Sequence, residues 1–266
     1  MHYTINANGK LLDLEEPRVM GILNATPDSF YAASRMATEE SMETRARQIV
    51  VEGADIIDVG ACSTRPGSTP AAEQEETARL RMALGAVRRV HPHAVVSVDT
   101  FRTNVARMAV EEYGAAIIND VSGGDLIPTA ARLGVAYILM SSQPTIGEML
   151  PEMARQVDAL RSLGAKDIII DPGFGFGKSL EQNYSILANI DKLQVFGLPV
   201  LAGISRKRMI YNATGTTPEG ALIGSCAAHT MALIGGASIL RVHDVAAARQ
   251  VCQIFNHYKR YGNAVL

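Results

Sequence analysis

Polar side chains suited to binding and catalysis follow each of eight short apolar runs in the sequence. Amides and carboxylates together can read a heterocycle that carries both hydrogen-bond donors and acceptors, while arginine can clamp a phosphate. The polar stretches are, in order, Asn24, Ser63-Thr64-Arg65, Asp99, Asn119, Ser141, Asp171, Ser205-Arg206-Lys207, and Arg241 with His243. A fold that gathers these stretches into one pocket would make the protein an enzyme.

The apolar runs themselves predict the strands of a parallel barrel. Strands that are buried on both faces read as continuous apolar runs rich in branched residues. The runs are Val19–Leu23, Ile56–Val59, Val95–Val98, Ala116–Ile118, Tyr137–Met140, Ile168–Ile170, Val200–Ala202 and Ser238–Leu240. A (β/α)8 TIM barrel points the carboxyl ends of all its strands to one face, where its active site lies. We therefore expect an α/β protein with this fold.

Helical patterns separate the runs, as parallel strands require. Leu80, Leu84, Val87 and Val90 recur at three- and four-residue spacing, which is typical of an amphipathic helix. Other boundaries are expected at two helix starts and four left-handed glycines: Thr38-Glu39-Glu40, Thr217-Pro218-Glu219, Gly53, Gly114, Gly134 and Gly164. The alternative is an open doubly wound sheet, which would place its site at a switch point between two strands. Polar residues after all eight runs favour the closed barrel.

A β-hairpin is predicted ahead of the barrel. Asn8-Gly9 lies between Tyr3–Ile5 and Leu11-Leu12, and Asn-Gly favours a type I′ turn. Such a hairpin could close the amino-terminal end of the barrel. No linker-like tract, charge block or low-complexity segment interrupts residues 1–266, so we expect one domain.

Composition excludes several classes of function. The 266 residues are 47% hydrophobic with a net charge of −2, which gives no indication of nucleic-acid or membrane binding. Cys62, Cys226 and Cys252 are too few and too dispersed for a disulfide framework or a CxxC metal site, and they suit a reducing cytoplasm. No apolar stretch reaches the roughly 18 residues that suggest a membrane span, and Met1–Lys10 lacks a signal-peptide pattern.

The first two polar loops have the chemistry of a metal and phosphate site. Asn24 offers a neutral oxygen to Mg²⁺, although Asn24 and Asp28 could instead cap turns. Arg65 could clamp a phosphate with two hydrogen bonds, or lie in an ordinary surface loop. Cys62 is interpreted as a small packing residue, because no basic partner that would activate its thiol is close in sequence.

Three residues at strand ends could read a heterocyclic ring. Asp99, Asn119 and Asp171 end the third, fourth and sixth runs. Capping by Asp99 and a structural salt bridge of Asp120 are the alternatives. The glycine-rich stretch 171–179 fails the Walker A template because Pro172 occupies a glycine position. Its glycines could let the loop approach a flat ligand with Phe176 packed against it, unless the loop is merely flexible.

Cationic residues leave the last two strands, where barrels often bind phosphate. Gly203–Arg208 contains Lys207, and Arg241 and His243 alternate with Val242, so both should leave the strand on one side. We expect these three side chains to supply local positive charge. Isolated histidines such as His229 are interpreted as structural or surface residues.

Seven motifs in this order resemble the dihydropteroate synthase family. They are LNATPDSF (23–30), STRPG (63–67), SVDT (97–100), INDVSG (118–123), DPGFGFGK (171–178), SRK (205–207) and RVHD (241–244). The resemblance spans about Val19 to Asp244. Related pterin-binding barrels that transfer methyl groups share the SVDT, IND and DPG portion but generally lack the STRP and SRK loops.

The resemblance implies a reaction and a role for each motif residue. The enzyme would join p-aminobenzoate to 6-hydroxymethyl-7,8-dihydropterin diphosphate in folate synthesis, with Mg²⁺, as a cytoplasmic homodimer. The pterin would contact Asp99, Asn119, Asp171, Met140 and Lys207. Asn24 would bind Mg²⁺, and the diphosphate would contact Arg65, Arg241 and His243. The p-aminobenzoate site would involve Thr64, Pro66, Phe176, Ser205 and Lys207, with Arg206 nearby, and Gly203 would be a further substrate-binding residue. Asp99, Lys207, Arg65 and Asn24 would be the catalytic residues.

The sequence departs from the family pattern in several places. Tyr31-Ala32-Ala33 stands where the family usually has Asp-Gly-Gly, and Cys62 replaces a usual glutamate. Ser141-Ser142 replaces His-Met, and the stretch 141–163 is shorter than usual. These altered loops motivate a non-catalytic pterin-binding paralogue as one alternative interpretation. A pterin methyltransferase is the other, and the intact STRP and SRK loops disfavour it.

Overall fold

The computed structural model describes residues 3–26, 39–62 and 70–262. Its strands are β1 (Thr4–Ala7), β2 (Lys10–Asp13), β3 (Arg18–Asn24), β4 (Ile56–Gly60), β5 (Val95–Asp99), β6 (Ile117–Asp120), β7 (Ala136–Met140), β8 (Ile168–Asp171), β9 (Leu201–Ala202) and β10 (Ile239–Val242). Its α-helices are α1 (Glu39–Val51), α2 (Glu73–Val90), α3 (Thr103–Tyr113), α4 (Ile127–Leu133), α5 (Ile146–Ser162), α6 (Leu180–Ala188), α7 (Arg208–Thr214), α8 (Leu222–Ile234) and α9 (Val245–Gly262). Two 3₁₀-helices cover Ile190–Phe196 and Glu219–Ala221.

Eight parallel strands form the barrel. They pair in the order β8-β7-β6-β5-β4-β3-β10-β9. A parallel bridge between Ile170 and Val200 joins the two ends of this order, and the amide of Ile170 donates to the carbonyl of Pro199 at 3.0 Å. The predicted barrel is therefore confirmed and the open doubly wound sheet is wrong. Each predicted apolar run forms a strand whose ends lie within two residues of the prediction.

Alternation along the strands produces two apolar layers. Successive strand side chains point to opposite faces, so every second residue enters the barrel. The inner layer includes Met20, Ile56, Val95, Ile138 and Leu201. The outer layer lies between the sheet and the helices and contains most of the other buried aliphatic residues. The inner apolar layer fills only the amino-terminal part of the barrel, so the carboxyl ends are left for polar residues.

The predicted hairpin closes the amino-terminal end. Asn8 and Gly9 have φ angles of 56° and 85°, as a type I′ turn requires. Ile5, Ala7, Leu12 and Leu14 of the hairpin segment belong to the same buried cluster as the inner layer. The hairpin therefore completes the packing of the barrel interior from below.

Short links keep the strand ends close together. Gly114 and Gly134 end α3 and α4 with φ angles of 64° and 66°, as predicted, while Gly53 and Gly164 have positive φ just beyond their helices. Helix α1 begins at Glu39, and the Pro218 start opens with a 3₁₀ turn before α8. None of the helices in the described part of the chain is both long and apolar enough to span a bilayer.

Candidate functional site

The inward faces of the strands turn polar toward their carboxyl ends. The polar inner residues come from five strands and are Asp58, Ser97, Asp99, Asn119, Asp171 and Arg241. The alternation that places Ile56 and Val95 in the inner apolar layer places Asp58, Ser97 and Asp99 above them on the same face. Residues far apart in sequence thus line one pocket, namely Asp99, Asn119, Asp171 and Arg241, while Asp58 and Ser97 are fully buried below them.

Arg241 lies between two carboxylates. Its Nε donates to Oδ2 of Asp58 at 2.6 Å, and its Nη2 donates to Oδ2 of Asp99 at 2.6 Å. Burial raises the pKa of Asp99, and Arg241 opposes this shift. Burial alone would lower the pKa of Arg241, but Asp58 and Asp99 outweigh it and raise that pKa, so the guanidinium stays charged.

Asn119 is held through its Nδ2, which lies within hydrogen-bond distance of both oxygens of Asp58, and Asp171 is held by one hydrogen bond from the backbone. Nδ2 of Asn119 donates to Oδ2 of Asp58 at 3.2 Å, and Oδ1 of Asp171 accepts from the amide of Gly173 at 2.7 Å. Burial raises the pKa of Asp171, with Lys207 opposing. No group in the described ranges donates to Oδ1 of Asp99, Oδ1 of Asn119 or Oδ2 of Asp171. Three strands therefore each leave one acceptor oxygen for a ligand.

Lys207 crosses the pocket to the glycine-rich loop. Its Nζ donates to the carbonyl of Phe174 and lies 4.9 Å from the centre of the Phe176 ring. Burial lowers the pKa of Lys207 to about 8, with Asp171 opposing. A Cβ on Gly175 would stand 3.1 Å from Cδ of Lys207, so the glycine permits this close approach.

The glycine-rich loop is tied to the barrel and is not merely a flexible connection. Gly175 donates its amide to Oδ1 of Asn183 at 2.7 Å. Nζ of Lys178 donates to the carbonyls of Gly173 at 2.8 Å and Ser141 at 3.2 Å. A Cβ on Gly173 would lie 2.3 Å from the carbonyl oxygen of Ser141, which requires glycine there. These contacts fix Phe176 beside Lys207.

Hydrogen bonds join the loop that follows β9 to the loop that follows β10. Arg206 donates to both carboxylate oxygens of Asp244, at 2.8 and 2.6 Å, and Oγ of Ser205 accepts from the amide of His243 at 3.2 Å. Burial, followed by Arg241, lowers the pKa of His243 to about 4. The expectation that His243 adds positive charge is therefore wrong near neutral pH, where the ring is neutral.

Other predicted residues lie around the same mouth. Asn24 ends β3 and pairs with Gly60, which pairs in turn with Asp99, so the Asn24 amide lies at the level of the pocket. Met140 ends β7 and pairs with Asp171. A Cβ on Gly203 would be 3.9 Å from Nζ of Lys207, so the missing side chain leaves room beside that ammonium. The described residues contain no cluster of three or more His, Cys, Asp or Glu side chains that could hold a metal.

Part of the predicted site lies outside the described residues. This applies to Thr64, Arg65 and Pro66 of the second loop, and to Asp28 and Tyr31–Ala33 of the first. The base of the second loop is described: Nη2 of Arg102 donates to the carbonyl of Ala71 at 2.6 Å. Cys62 is half-buried, and burial raises the pKa of its thiol, which agrees with a packing role.

Two structural alternatives are decided by hydrogen bonds. The N-cap of α3 is Arg102, with no side-chain cap, so Asp99 does not cap that helix. Asp120 is structural, and within residues 3–26, 39–62 and 70–262 it acts through hydrogen bonds and makes no salt bridge. It accepts from the amide of Ser122 at 2.7 Å and from the hydroxyl of Tyr137.

Asp58 is the site residue that the sequence analysis missed. It lies inside the apolar run Ile56–Val59, is fully buried, and accepts from both Asn119 and Arg241. The signal was present in the sequence, because an isolated carboxylate within a buried strand requires a partner. Its partners lie too far away in sequence to be identified from spacing.

Comparisons with known proteins agree on one family. Residues 20–243 match the family described as pterin binding enzyme. The dihydropteroate synthase of Haemophilus influenzae is 36% identical over 267 residues, covering 94% of this chain and 96% of that protein. The dihydropteroate synthase of Escherichia coli K12 is 38% identical over 257 residues and 90% of each chain.

Solved structures give the same result. Dihydropteroate synthase of Xanthomonas albilineans with 4-aminobenzoic acid superposes with a TM-score of 0.90 at 37% identity, covering 97% of this chain and 99% of that one. The same enzyme in complex with 7,8-dihydropteroate gives a TM-score of 0.88 at 35% identity, with 97% and 99% coverage.

Proposed function

The chain belongs to the pterin-binding enzyme family, and from that membership we propose how its own residues carry out the dihydropteroate synthase reaction. The enzyme is a transferase of folate biosynthesis. It condenses 6-hydroxymethyl-7,8-dihydropterin diphosphate with p-aminobenzoate to give 7,8-dihydropteroate and diphosphate. We propose that residues 1–266 act as one domain.

The three unpaired acceptor oxygens carry the assignment of the pterin pocket. A dihydropterin ring presents several N–H donors along its edges, and acceptors that are already oriented match them without reorganisation. Asp99, Asn119 and Asp171 each leave one such oxygen. Met140 lies beside Asp171 in the sheet, and Lys207 supplies a cation for the ring carbonyl.

The charge of the pocket supports a role for Mg²⁺. Arg241 and Lys207 face three carboxylates, those of Asp58, Asp99 and Asp171, so the inner pocket alone does not favour a diphosphate. Magnesium takes few protein oxygens together with waters and substrate phosphates. The Asn24 amide oxygen at the pocket mouth is a metal ligand of this kind. Bound Mg²⁺ would offset the negative charge that builds on the departing diphosphate.

The remaining diphosphate contacts are assigned to Arg65, Arg241 and His243. Arg241 already shares two of its nitrogens with carboxylates, which leaves Nη1 for the leaving group. His243 is neutral and would act through hydrogen bonds rather than charge. The charge of Arg241 is balanced by its carboxylate partners and His243 is neutral, so Arg65 would supply the net positive charge. Loss of Arg65 should therefore reduce diphosphate binding most.

The p-aminobenzoate site is assigned to the outer rim. Phe176 and Lys207 stand against each other there, next to the space left by Gly203. Ser205 lies on the same rim, and Arg206 fixes the loop through Asp244. Thr64 and Pro66 would complete the site. The arylamine is already nucleophilic, so the protein needs no strong base and acts by electrostatic placement.

We propose a homodimer built on α8. This helix leaves Ile223, Met231 and Ile234 exposed at 83%, 56% and 61%, and apolar groups of this size on one face suit burial against a second copy. Free thiols at Cys62, Cys226 and Cys252 support a reducing cytoplasm. Sedimentation of the purified chain and of Ile223→Glu tests the interface: a dimer that the substitution converts to a monomer is expected, and an unchanged dimer would place the interface elsewhere.

A turnover assay tests the function. Mixing both substrates with Mg²⁺ should release diphosphate, and omitting Mg²⁺ should reduce the rate strongly. Asp171→Asn serves as the impaired control, because its amide keeps the oxygen for Gly173 and turns a nitrogen, a donor, toward the ligand. Tight pterin binding without any diphosphate release would instead identify a non-catalytic pterin-binding protein.

A further inference from the structure

We propose that Asp58 is a positioning residue that decides which end of the Asn119 amide faces the pterin. Asp58 is fully buried below the pocket in β4. It accepts from Nδ2 of Asn119 at 3.2 Å and from Nε of Arg241 at 2.6 Å. Asp58 lies too deep to touch the substrate, and its oxygens already accept hydrogen bonds from Asn119 and Arg241. It therefore acts through these two side chains.

The polarity of the two groups fixes the orientation of Asn119. An ionised carboxylate only accepts hydrogen bonds, so Asn119 must turn its nitrogen toward Asp58. The amide oxygen then points away from Asp58. The two ends of a carboxamide are almost equal in size, so packing alone cannot distinguish the two orientations. The charge of Asp58 makes the distinction, and Asn119 presents an acceptor where the ligand has donors.

Arg241 reinforces this arrangement. Its guanidinium bridges Asp58 on β4 and Asp99 on β5, with both distances at 2.6 Å. The same bridge gives the buried carboxylate of Asp58 the cationic partner that such a group needs. Asp58 therefore links the orientation of Asn119 to the presence of Arg241, although 61 and 183 residues separate it from these partners.

The barrel does not require a carboxylate at this depth. The register partners of Asp58 on the two neighbouring strands are Ile22 and Ser97, and neither is charged. Among the described residues Oγ of Ser97 is buried without a hydrogen-bond partner, so this layer tolerates an unsatisfied hydroxyl. A buried ion pair is weak support for stability, which favours a role for Asp58 in orientation.

This inference rests on the proposed role of Asn119 as a pterin contact, and calorimetry with 6-hydroxymethyl-7,8-dihydropterin tests it. In Asp58→Asn the oxygen of the introduced amide must accept the hydrogen bond from Arg241. Its nitrogen is then left to donate to Asn119. Asn119 then turns over and presents its own nitrogen to the ligand. We expect pterin affinity to fall by about tenfold to a hundredfold, which corresponds to one mismatched buried hydrogen bond.

A transposed double variant separates orientation from packing. Asp58→Asn combined with Asn119→Asp keeps the same atoms and net charge, and it returns an acceptor oxygen to the ligand. We expect it to recover most of the lost affinity. Ser97→Ala is the matched control at the same depth and should bind pterin within about twofold of the parent. A double variant no better than Asp58→Asn, or an equal loss in Ser97→Ala, would overturn the inference.

Two further readouts keep the outcome decisive. A neutron structure of the parent enzyme with pterin locates the Asn119 deuterons directly, even if Asp58→Asn does not fold; nitrogen facing the ligand overturns the inference. The parent is assayed first for pterin binding and diphosphate release. Failure there contradicts the proposed function, whereas a competent parent with an equally competent Asp58→Asn contradicts only the role of Asp58.

Discussion

The two ends of the barrel use the same residue types for opposite purposes. At the amino-terminal end Arg88 donates to the backbone carbonyls of Pro92, Ala94, Tyr113 and Gly114. At the carboxyl end Arg241 donates to the carboxylate of Asp58, which is buried below the pocket, and to that of Asp99, which faces it. The first arginine joins segments of the backbone that precede β5 and β6. The second holds two acidic groups, of which Asp99 keeps one oxygen available to a ligand.

The pKa values of the two arginines reflect this difference. Burial lowers the pKa of Arg88, which has neutral carbonyl partners, whereas the carboxylates around Arg241 outweigh burial and raise its pKa. The amino-terminal end combines apolar packing with hydrogen bonds to backbone. The carboxyl end keeps charges that are paired on one side only. The barrel thereby separates the groups that stabilise it from the groups that react.

The largest effect should come from removing the cation at the carboxyl end of the barrel, which is its reactive end. Arg241→Met leaves Asp58 and Asp99 buried together without a partner, so we expect a loss of about 3–5 kcal/mol in unfolding free energy at pH 7.5. The loss should be smaller at pH 5.5, because protonation relieves the repulsion and the pKa of Asp99 is already raised. Urea denaturation at both pH values measures this. Equal losses at both would show that the carboxylates are not the cause.

A smaller effect on stability alone is expected at the closed end. Ile5→Ala removes a buried side chain of the hairpin from the inner cluster and should destabilise the protein by about 2–4 kcal/mol. Pterin affinity and turnover at 25 °C should stay within twofold of the parent in the folded fraction. Thermal denaturation and the diphosphate assay measure the two quantities. A tenfold loss of turnover in folded protein would show that the two ends are coupled.

The reverse pattern is expected for Asp171→Asn. The amide keeps an oxygen for the Gly173 amide but offers the ligand a nitrogen, which should weaken pterin binding by about 1–3 kcal/mol. Unfolding free energy should be unchanged or slightly increased, since a buried charge is removed. Calorimetry and urea denaturation of the same preparation give both values. Parent-like pterin affinity would remove Asp171 from the binding site.

The smallest effect concerns His229 on α8, behind the reactive end. Both ring nitrogens are buried without a partner among the described residues, and burial lowers the pKa of His229 to about 4, with Asp244 opposing. As the pH falls, His229 is therefore protonated in the unfolded chain at a higher pH than in the folded protein. The stability that is present above pH 6.5 is lost as the pH falls toward 4. We expect a loss of about 1 kcal/mol between pH 7.5 and 5.5.

A matched variant isolates this contribution. His229→Gln has no titrating group, so the part of the pH dependence that His229 causes should disappear, while the part due to His243 remains. Urea denaturation of parent and variant between pH 4.5 and 7.5 gives the difference. Parallel stability curves for the two proteins would show that His229 is not the source.

The sequence alone predicts the strands and turns, but it does not predict which side chains pair across the barrel. Apolar runs such as Ile168–Ile170 predict strands because burial on both faces leaves a local mark, and Asn8-Gly9 predicts its turn through backbone sterics. Asp99, Asn119 and Asp171 were found because strand ends in a barrel converge. The role of Asp58 could not be found, since it depends on contacts across the barrel. The neutral state of His243 likewise depends on burial that no local pattern records.

The order of the strands has a consequence for synthesis on the ribosome. Arg241 lies on β10, which pairs with the first barrel strand, β3. Its carboxylate partners Asp58 and Asp99 precede it by 183 and 142 residues. A nascent chain therefore carries both carboxylates without their cation until β10 has left the exit tunnel. During translation these side chains must remain hydrated or protonated, so the pocket can form only after nearly all of the barrel has been made.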